Sequence, residues 1–282
     1  MQSLPSARDS GTARRGAQIV ALLTERRARV RLHEAVGADH RIAFVRRWTD
    51  LYECIRTLPA VLAVLDPRDG RAWQVEAVER LVRHHPSLRI LLYVPFRPDV
   101  AGPLLRWGRL GVYQVVFLQL GDSSLYVREM VERALACSVP EWVYARLRAE
   151  IDPLAEDVAE AFRVALLHAG AIEHADTWAE AVGWPAGSFY RRFRSLGLPT
   201  PKRCLEWLNF LYAAKRLEDP GYVWEDLVRE RPPTSSLHAP AGAAPAPDAR
   251  ELRYTVSFDI ALAQFAQECR AAGARRRAEA GD

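Results

Sequence analysis

The chain has 282 residues, of which 49% are apolar and 26% charged, and it carries a net charge of +4. That length allows two domains with a core each, and the composition is that of an ordinary soluble globular protein. Its four cysteines, Cys54, Cys137, Cys204 and Cys269, lie far apart with no Cys-x-x-Cys or Cys/His spacing, which speaks against a disulfide framework or a zinc site and for a reducing compartment.

Residues 1–16 are polar and lack an apolar stretch, so a flexible tail is expected there and not a signal peptide. The longest apolar runs, such as Ala60–Leu65 and Ile90–Val94, are far too short to cross a bilayer. The expected compartment is the cytoplasm, with no membrane partner.

Residues 17–138 alternate between apolar runs and amphipathic stretches. Strands are predicted at Gln18–Leu23, Arg41–Val45, Ala60–Leu65, Leu88–Val94 and Gly111–Phe117. Helices are predicted at Glu25–Val36, about Thr49–Thr57, Ala72–His84, Asp99–Arg109 and Ser123–Ala136. The run AVLAVL at Ala60–Leu65 is apolar throughout, as a strand buried on both faces requires. Five strand–helix repeats predict an α/β domain, flavodoxin-like, with a five-stranded parallel sheet between two layers of helices.

In size and count this half resembles the receiver domain of two-component response regulators. The segment VLAVLDPRDG is similar to that family's third strand and phosphate-accepting aspartate, which puts Asp66 at the acceptor position. The resemblance also implies an acidic pair after the first strand, a hydroxyl residue after the fourth and a lysine after the fifth. Thr24-Glu25, Tyr93-Val94-Pro95 and Val115–Gln119 stand there instead, so the groups that would hold Mg²⁺ and the phosphoryl are depleted. Asp66 then reads as a turn-initiating residue before Pro67, and the domain as a degenerate receiver kept for interaction or homodimer formation. Trp107, Tyr113 and Tyr126 are the aromatics expected at such a surface, although each would equally suit a core or an ordinary surface.

Val139–Leu147 is expected to be a connecting helix, entered at Pro140, within a linker of residues 139–155. Asp152-Pro153 would open an all-α second domain, residues 156–274, whose first helix turns Val158, Phe162, Ala165 and Leu166 inward. The stretch DTWAEAVGWPAGSFYRRFRSLGLPTP, Asp176–Pro201, has the pattern of a helix-turn-helix. Asp176 would cap a first helix over Thr177–Val182. Gly183 would make the turn, and Pro185 would open the second helix. Phe189, Phe193 and Leu196 recur at helical spacing as its buried stripe, opposite Ala186, Gly187, Tyr190, Arg191 and Arg194. Small residues followed by Tyr and Arg suit a helix that enters a major groove.

Together with GLPTPKRCLEWLNFLYAAKRLEDPGYVWEDLV behind it, this segment resembles the AraC/XylS type of transcription regulator, over about Asp157–Val228. The resemblance implies that the positions held by Gly187, Tyr190 and Arg191 face the bases, that a long helix follows, and that Val223–Val228 begins a second helix-turn-helix. Arg194, Lys202 and Arg203 would hold phosphates. Residues 140–230 carry 11 Lys/Arg against 15 Asp/Glu, so affinity has to come from a local cluster: Arg191, Arg192, Arg194, Lys202, Arg203, Lys215 and Arg216.

The family pattern breaks at a Pro/Ala-rich loop insertion, residues 230–250, which cannot bury a core. A helix over Ser257–Ala272 is expected to pack structurally, offering Gln264, Gln267 and Glu268 outward. Residues 275–282 are expected to be a solvated tail, with Arg275–Arg277 within reach of phosphate. Taken together, the sequence is expected to encode a bacterial sequence-specific DNA-binding transcription regulator with a degenerate, non-phosphorylated receiver-like domain. Its partners are double-stranded DNA and a second copy, and no cofactor, metal or catalytic group is foreseen. Two alternatives stay open: a phosphorylation-dependent response regulator using Asp66, and a protein-interaction scaffold whose DNA-binding fold has lost its affinity.

Overall fold

The first half folds as the alternation of apolar and amphipathic stretches requires. The computed structural model describes residues 16–69, 72–112, 114–151, 154–169, 172–223 and 257–281, with side chains to residue 278. Its elements run β1 (Gln18–Leu22), α1 (Arg26–Val36), β2 (Arg41–Val45), α2 (Trp48–Thr57), β3 (Ala60–Leu65), β4 (Arg68–Asp69), β5 (Ala72–Trp73), α3 (Val75–His84), β6 (Arg89–Pro95), α4 (Ala101–Arg109), β7 (Gln114–Leu118) and α5 (Ser124–Leu135). Five strands pair in parallel in the order β2-β1-β3-β6-β7, while β4 and β5 form a small antiparallel ribbon. Leaving that ribbon aside, this is the strand order of a flavodoxin-like, receiver-like domain.

Burial follows position in the sheet. β3 lies between two neighbours and is buried at every residue, whereas the edge strand β2 is mostly half-buried or exposed. On one face Ile19, Leu62, Leu91 and Val116 pack under α1 and α5; on the other, Val20, Ala63, Leu92 and Val94 pack under α2, α3 and α4. The helix expected from Ala72 starts only at Val75, because Ala72-Trp73 pairs with Arg68-Asp69. Trp107, expected as contact surface, is fully buried in the core and packs edge-on against Trp73, 6.1 Å between centroids. Tyr126 is 39% exposed and available as surface. Tyr113 lies outside the described residues.

The second half is helical: α6 (Val139–Glu150), α7 (Glu156–Leu167), α8 (Ala175–Ala181), α9 (Ala186–Ser195), α10 (Pro201–Leu217) and α11 (Phe258–Gly281). Phe162, Trp178, Phe189, Phe193, Trp207 and Phe265 form its aromatic centre. The indole of Trp178 donates to the carbonyl of Ala161 at 2.8 Å, which satisfies its one polar group inside the core. α6 contributes Val143 and Leu147 to the same core, so it belongs to the helical domain and is not a linker. α11 continues through residues 275–281, where a solvated tail was expected. Residues 1–15, the 230–250 insertion, Asp152-Pro153 and all of Val223–Val228 but its first residue lie outside the described residues.

The end of α10 returns to the receiver-like domain. The Asp219 carboxylate, 4% exposed, accepts hydrogen bonds from the Ser87 amide at 3.1 and 3.2 Å and from the Ser87 hydroxyl. The Gly221 amide donates to the His84 carbonyl at 2.6 Å. Tyr222 packs edge-on against His85, a buried residue at the end of α3, and the Arg216 guanidinium lies 4.0 Å over the Tyr222 ring. A Cβ at Gly221 would stand 2.6 Å from the His84 carbonyl oxygen, so this close approach needs glycine.

Candidate nucleic-acid interface

The α8–α9 turn is set by local geometry. Gly183 has φ +74°, a conformation that costs other residues about 1–2 kcal/mol. The next amide, Trp184, closes back onto the Ala179 carbonyl at 2.9 Å. Pro185 is extended and stands just before α9. Two boundaries differ from expectation. α8 begins at Ala175, so Asp176 lies in its first turn, favourably placed for the helix dipole, and does not cap it. Leu196 follows the last turn of α9 and is 36% exposed, so Phe189 and Phe193 alone carry the buried stripe, with centroids 5.0 and 5.4 Å from Trp178.

The opposite face of α9 is open. Gly187, Tyr190, Arg191 and Arg194 are all exposed, and a Cβ on Gly187 would meet nothing within 4 Å. The protein's own packing therefore does not demand glycine there. The Tyr190 phenol is pushed up by burial and by the Asp176 charge, so it meets a partner as a hydroxyl. Arg191 donates to the Ser188 hydroxyl one turn back, at 3.2 Å, and remains exposed.

Of the seven cations expected to cluster, four are engaged inside the protein. Arg203 donates to both oxygens of Glu268 at 2.8 and 2.9 Å, reaches Glu206 at 3.4 Å and stacks on Trp207. These contacts tie α10 to α11 and occupy the guanidinium that was expected to hold a phosphate. Arg192 makes two hydrogen bonds to Asp157 on α7, at 2.7 and 3.1 Å. Lys215 pairs with Glu218 and sits 4.3 Å over the Trp142 ring, and Arg216 is 2% exposed in the join between domains. Lys202, in the first turn of α10, is exposed together with Arg191 and Arg194.

These exposed groups border a groove of about 1290 Å³ between α9, the α9–α10 turn and α11. Tyr190, Arg191 and Arg194 form one wall, and Gln264, Gln267, Arg275 and Arg276 line the α11 side. The two helices come together at glycines. Gly197 has φ +67°, and a Cβ on it would stand 2.8 Å from the Cα of Gly273. Gln264, Gln267 and Glu268 were expected on the outward face of this helix and Arg275–Arg277 near phosphate, but nothing short of the folded chain shows that the helix lies beside α9. Gly273, six residues after Gln267 in an otherwise good helix, was the one available signal of a close approach. Burial pushes the Cys204 thiol well up and the Cys269 thiol up to about 12, so neither of these core cysteines is a thiolate near neutral pH.

In the receiver-like domain the Asp66 carboxylate is 1% exposed, and both its oxygens are taken. Arg68 donates from Nε to one oxygen at 2.7 Å and from its terminal nitrogen to the other at 2.6 Å; Thr24 donates its hydroxyl to the latter at 2.6 Å. The same Arg68 nitrogen reaches Glu25 at 3.0 Å. These side-chain partners, and not a turn of backbone, define the place of Asp66. A guanidinium thus stands where a phospho-acceptor would need room for a metal ion and an incoming phosphoryl group. Among the described residues no group of three or more His, Cys, Asp or Glu side chains is placed to hold a metal ion. No described helix is long and apolar enough to cross a membrane.

No protein-family model matches the sequence, and no curated protein matches it. Among solved structures, NtrX from Brucella abortus, determined in complex with ADP, is 15% identical over 59% of this chain with a TM-score of 0.40; this chain spans 40% of that one. Full-length FixJ from B. japonicum is 14% identical, covering 76% of this chain and 97% of its own, with a TM-score of 0.36. The receiver-like description of the first domain rests on its strand order.

Proposed function

We propose that this protein is a transcription regulator that reads double-stranded DNA through α9. In this reading its helical domain is of the AraC type, and its receiver-like domain works without phosphorylation, as an interaction or dimerisation module. The observation that carries the proposal is the division of α9. Phe189 and Phe193 fix it to the core, while Gly187, Tyr190 and Arg191, the positions that face bases in the AraC/XylS resemblance, are exposed on one side. Tyr190 and Arg191 contact base edges, and Gly187 lets the helix backbone come close. Arg194 and Lys202 hold phosphates and set the register, which carries no sequence information of its own. Arg203, committed to Glu268, positions α10 against α11 instead.

In the receiver-like domain the Arg68 guanidinium supplies the charge that a metal ion would otherwise bring to Asp66, permanently and without a phosphoryl donor. The test is binding of the purified full chain to pooled genomic fragments over a salt series, beside Arg191→Ala. Enrichment of one motif by the wild type, lost in the variant while salt dependence persists, is the expected result. Absence of salt-dependent binding in the wild type would overturn the reading and leave a helical domain that serves protein contacts.

A further inference from the structure

We infer that the open edge of the parallel sheet, strand β2 with the flank of α1 beside it, is a docking site for an extended acidic segment of another protein. The inference rests on the interaction role proposed above for the receiver-like domain and gives that role a surface; it does not depend on DNA reading by α9.

Three observations carry it. First, β2 pairs only with β1. The Arg41 amide donates inward to the Ala17 carbonyl at 3.1 Å. On a parallel ladder the amides and carbonyls of Ile42 and Phe44 then point to the other side, where no described strand meets them. Second, the charge around this edge is positive and unmatched. Residues 25–47 carry seven arginines against three carboxylates, and all three carboxylates are already paired: Glu25 with Arg68, Glu34 with Arg31 and Asp39 with Arg128. Arg26, Arg41 and Arg46 are exposed with no carboxylate partner among the described residues, and Arg29 has a buried Nε that meets no hydrogen-bond acceptor. One side of α1 packs against α5, where Arg31 reaches Ser124, and helical spacing turns Arg26 and Arg29 to the opposite flank, beside β2. Third, Phe44 shares its face of the sheet with Ile42, which packs on the core, but is itself 38% exposed.

Charge decides the occupant. A second copy of β2 would bring Arg41 and Arg46 against their own kind, and like charges across a strand pair destabilise it. An acidic strand meets the free backbone groups with its own, covers the Phe44 ring and brings carboxylates to the arginines.

The test titrates the full chain with a labelled peptide alternating glutamate and valine. Its controls are the lysine–valine counterpart and a glutamate–proline peptide that cannot extend a sheet. Binding of the first alone is expected, with slowed amide exchange at residues 41–46. Arg26→Ala/Arg29→Ala/Arg46→Ala should weaken it about tenfold, as the loss of three exposed ion pairs implies, and the matching triple lysine variant should keep most of it. Equal thermal midpoints of the variants show that the fold is unaltered. Equal binding of both glutamate peptides, or unchanged exchange at residues 41–46, overturns the inference, since charge alone would then suffice. The alanine variant should bind the enriched duplex and a scrambled one with the wild-type salt slope; a reduced slope makes the edge a DNA contact and overturns it too. A wild type that binds no peptide overturns it outright: if that protein sediments as a dimer the interaction role survives, and if as a monomer both fall together.

Discussion

In the receiver-like domain Arg68 lies against a buried carboxylate and fills both its oxygens; in the helical domain Arg191 leans on a serine hydroxyl and faces an open groove. The side chain is the same and its use is opposite. A guanidinium with a carboxylate in bidentate reach has spent its charge inside the protein, and it resists solvent and partner alike. One without such a neighbour offers charge outward, and at the surface that charge is free to meet a polyanion. Arg203 and Arg194, nine residues apart in the sequence, repeat the contrast within one domain: the first is locked to Glu268, the second is exposed.

The sharpest break of this comparison is Arg68→Ala. Removing one partner of a buried ion pair typically costs about 3–5 kcal/mol, so the receiver-like domain should lose that much stability in urea unfolding. Arg68→Met combined with Asp66→Leu should recover most of it, since the pair matters mainly because each half needs the other. Arg191→Ala should leave unfolding unchanged and lower discrimination between the enriched and scrambled duplexes by about 1–3 kcal/mol, read from competition binding. For Arg203→Ala the expectation reverses: a loss of about 1 kcal/mol in stability, discounted for its partial exposure, with no change in the salt slope. A reduced slope would mean that Arg203 reaches DNA after all.

The smallest effect concerns acid. Burial works against the Glu268 charge, but the hydrogen bonds from Arg203 and Trp207 outweigh it and hold the carboxyl below its usual range. A carboxyl lowered on folding contributes stability that is complete above the unfolded value, about 4.3, and is lost as pH falls through the lower folded value. The difference in urea midpoint between wild type and Glu268→Gln should accordingly be constant near neutrality and shrink below about pH 4.

Much of the fold could be read before any coordinates, and the reason is local. AVLAVL needs two neighbours to cover it, and β3 has them; Phe189 and Phe193 recur at one helical turn and share one core. The GWP turn requires a left-handed residue and has one in Gly183. The site was less legible because its electrostatics are decided by pairs distant along the chain. Arg203 finds Glu268 65 positions away, and Arg192 finds Asp157 35 positions away. From sequence each was simply a cation on a plausible helix face. Trp107 was ambiguous for a similar reason: on a short helix its aromatic ring fits a surface or a core equally, and the fold buries it among β-strand and α3 side chains with Trp73 from the β4–β5 ribbon at its edge.

The contact of Ser87 with Asp219, 132 positions apart, turns the molecule into a ring. The chain runs from the sheet through α5 into α6, and after α10 it returns to the turn between α3 and β6 at His84, His85 and Ser87. A body fastened at one point swivels in every direction; one fastened at two keeps only the rotation about the line that joins them. The heading of α9 with respect to the β-sheet is restricted accordingly, and what turns or docks the sheet turns the helix with it, much as a handle guides a blade. A cut between α6 and α7 would still leave two sets of contacts between the halves, the packing of α6 in the helical core and the join at Ser87 and His84.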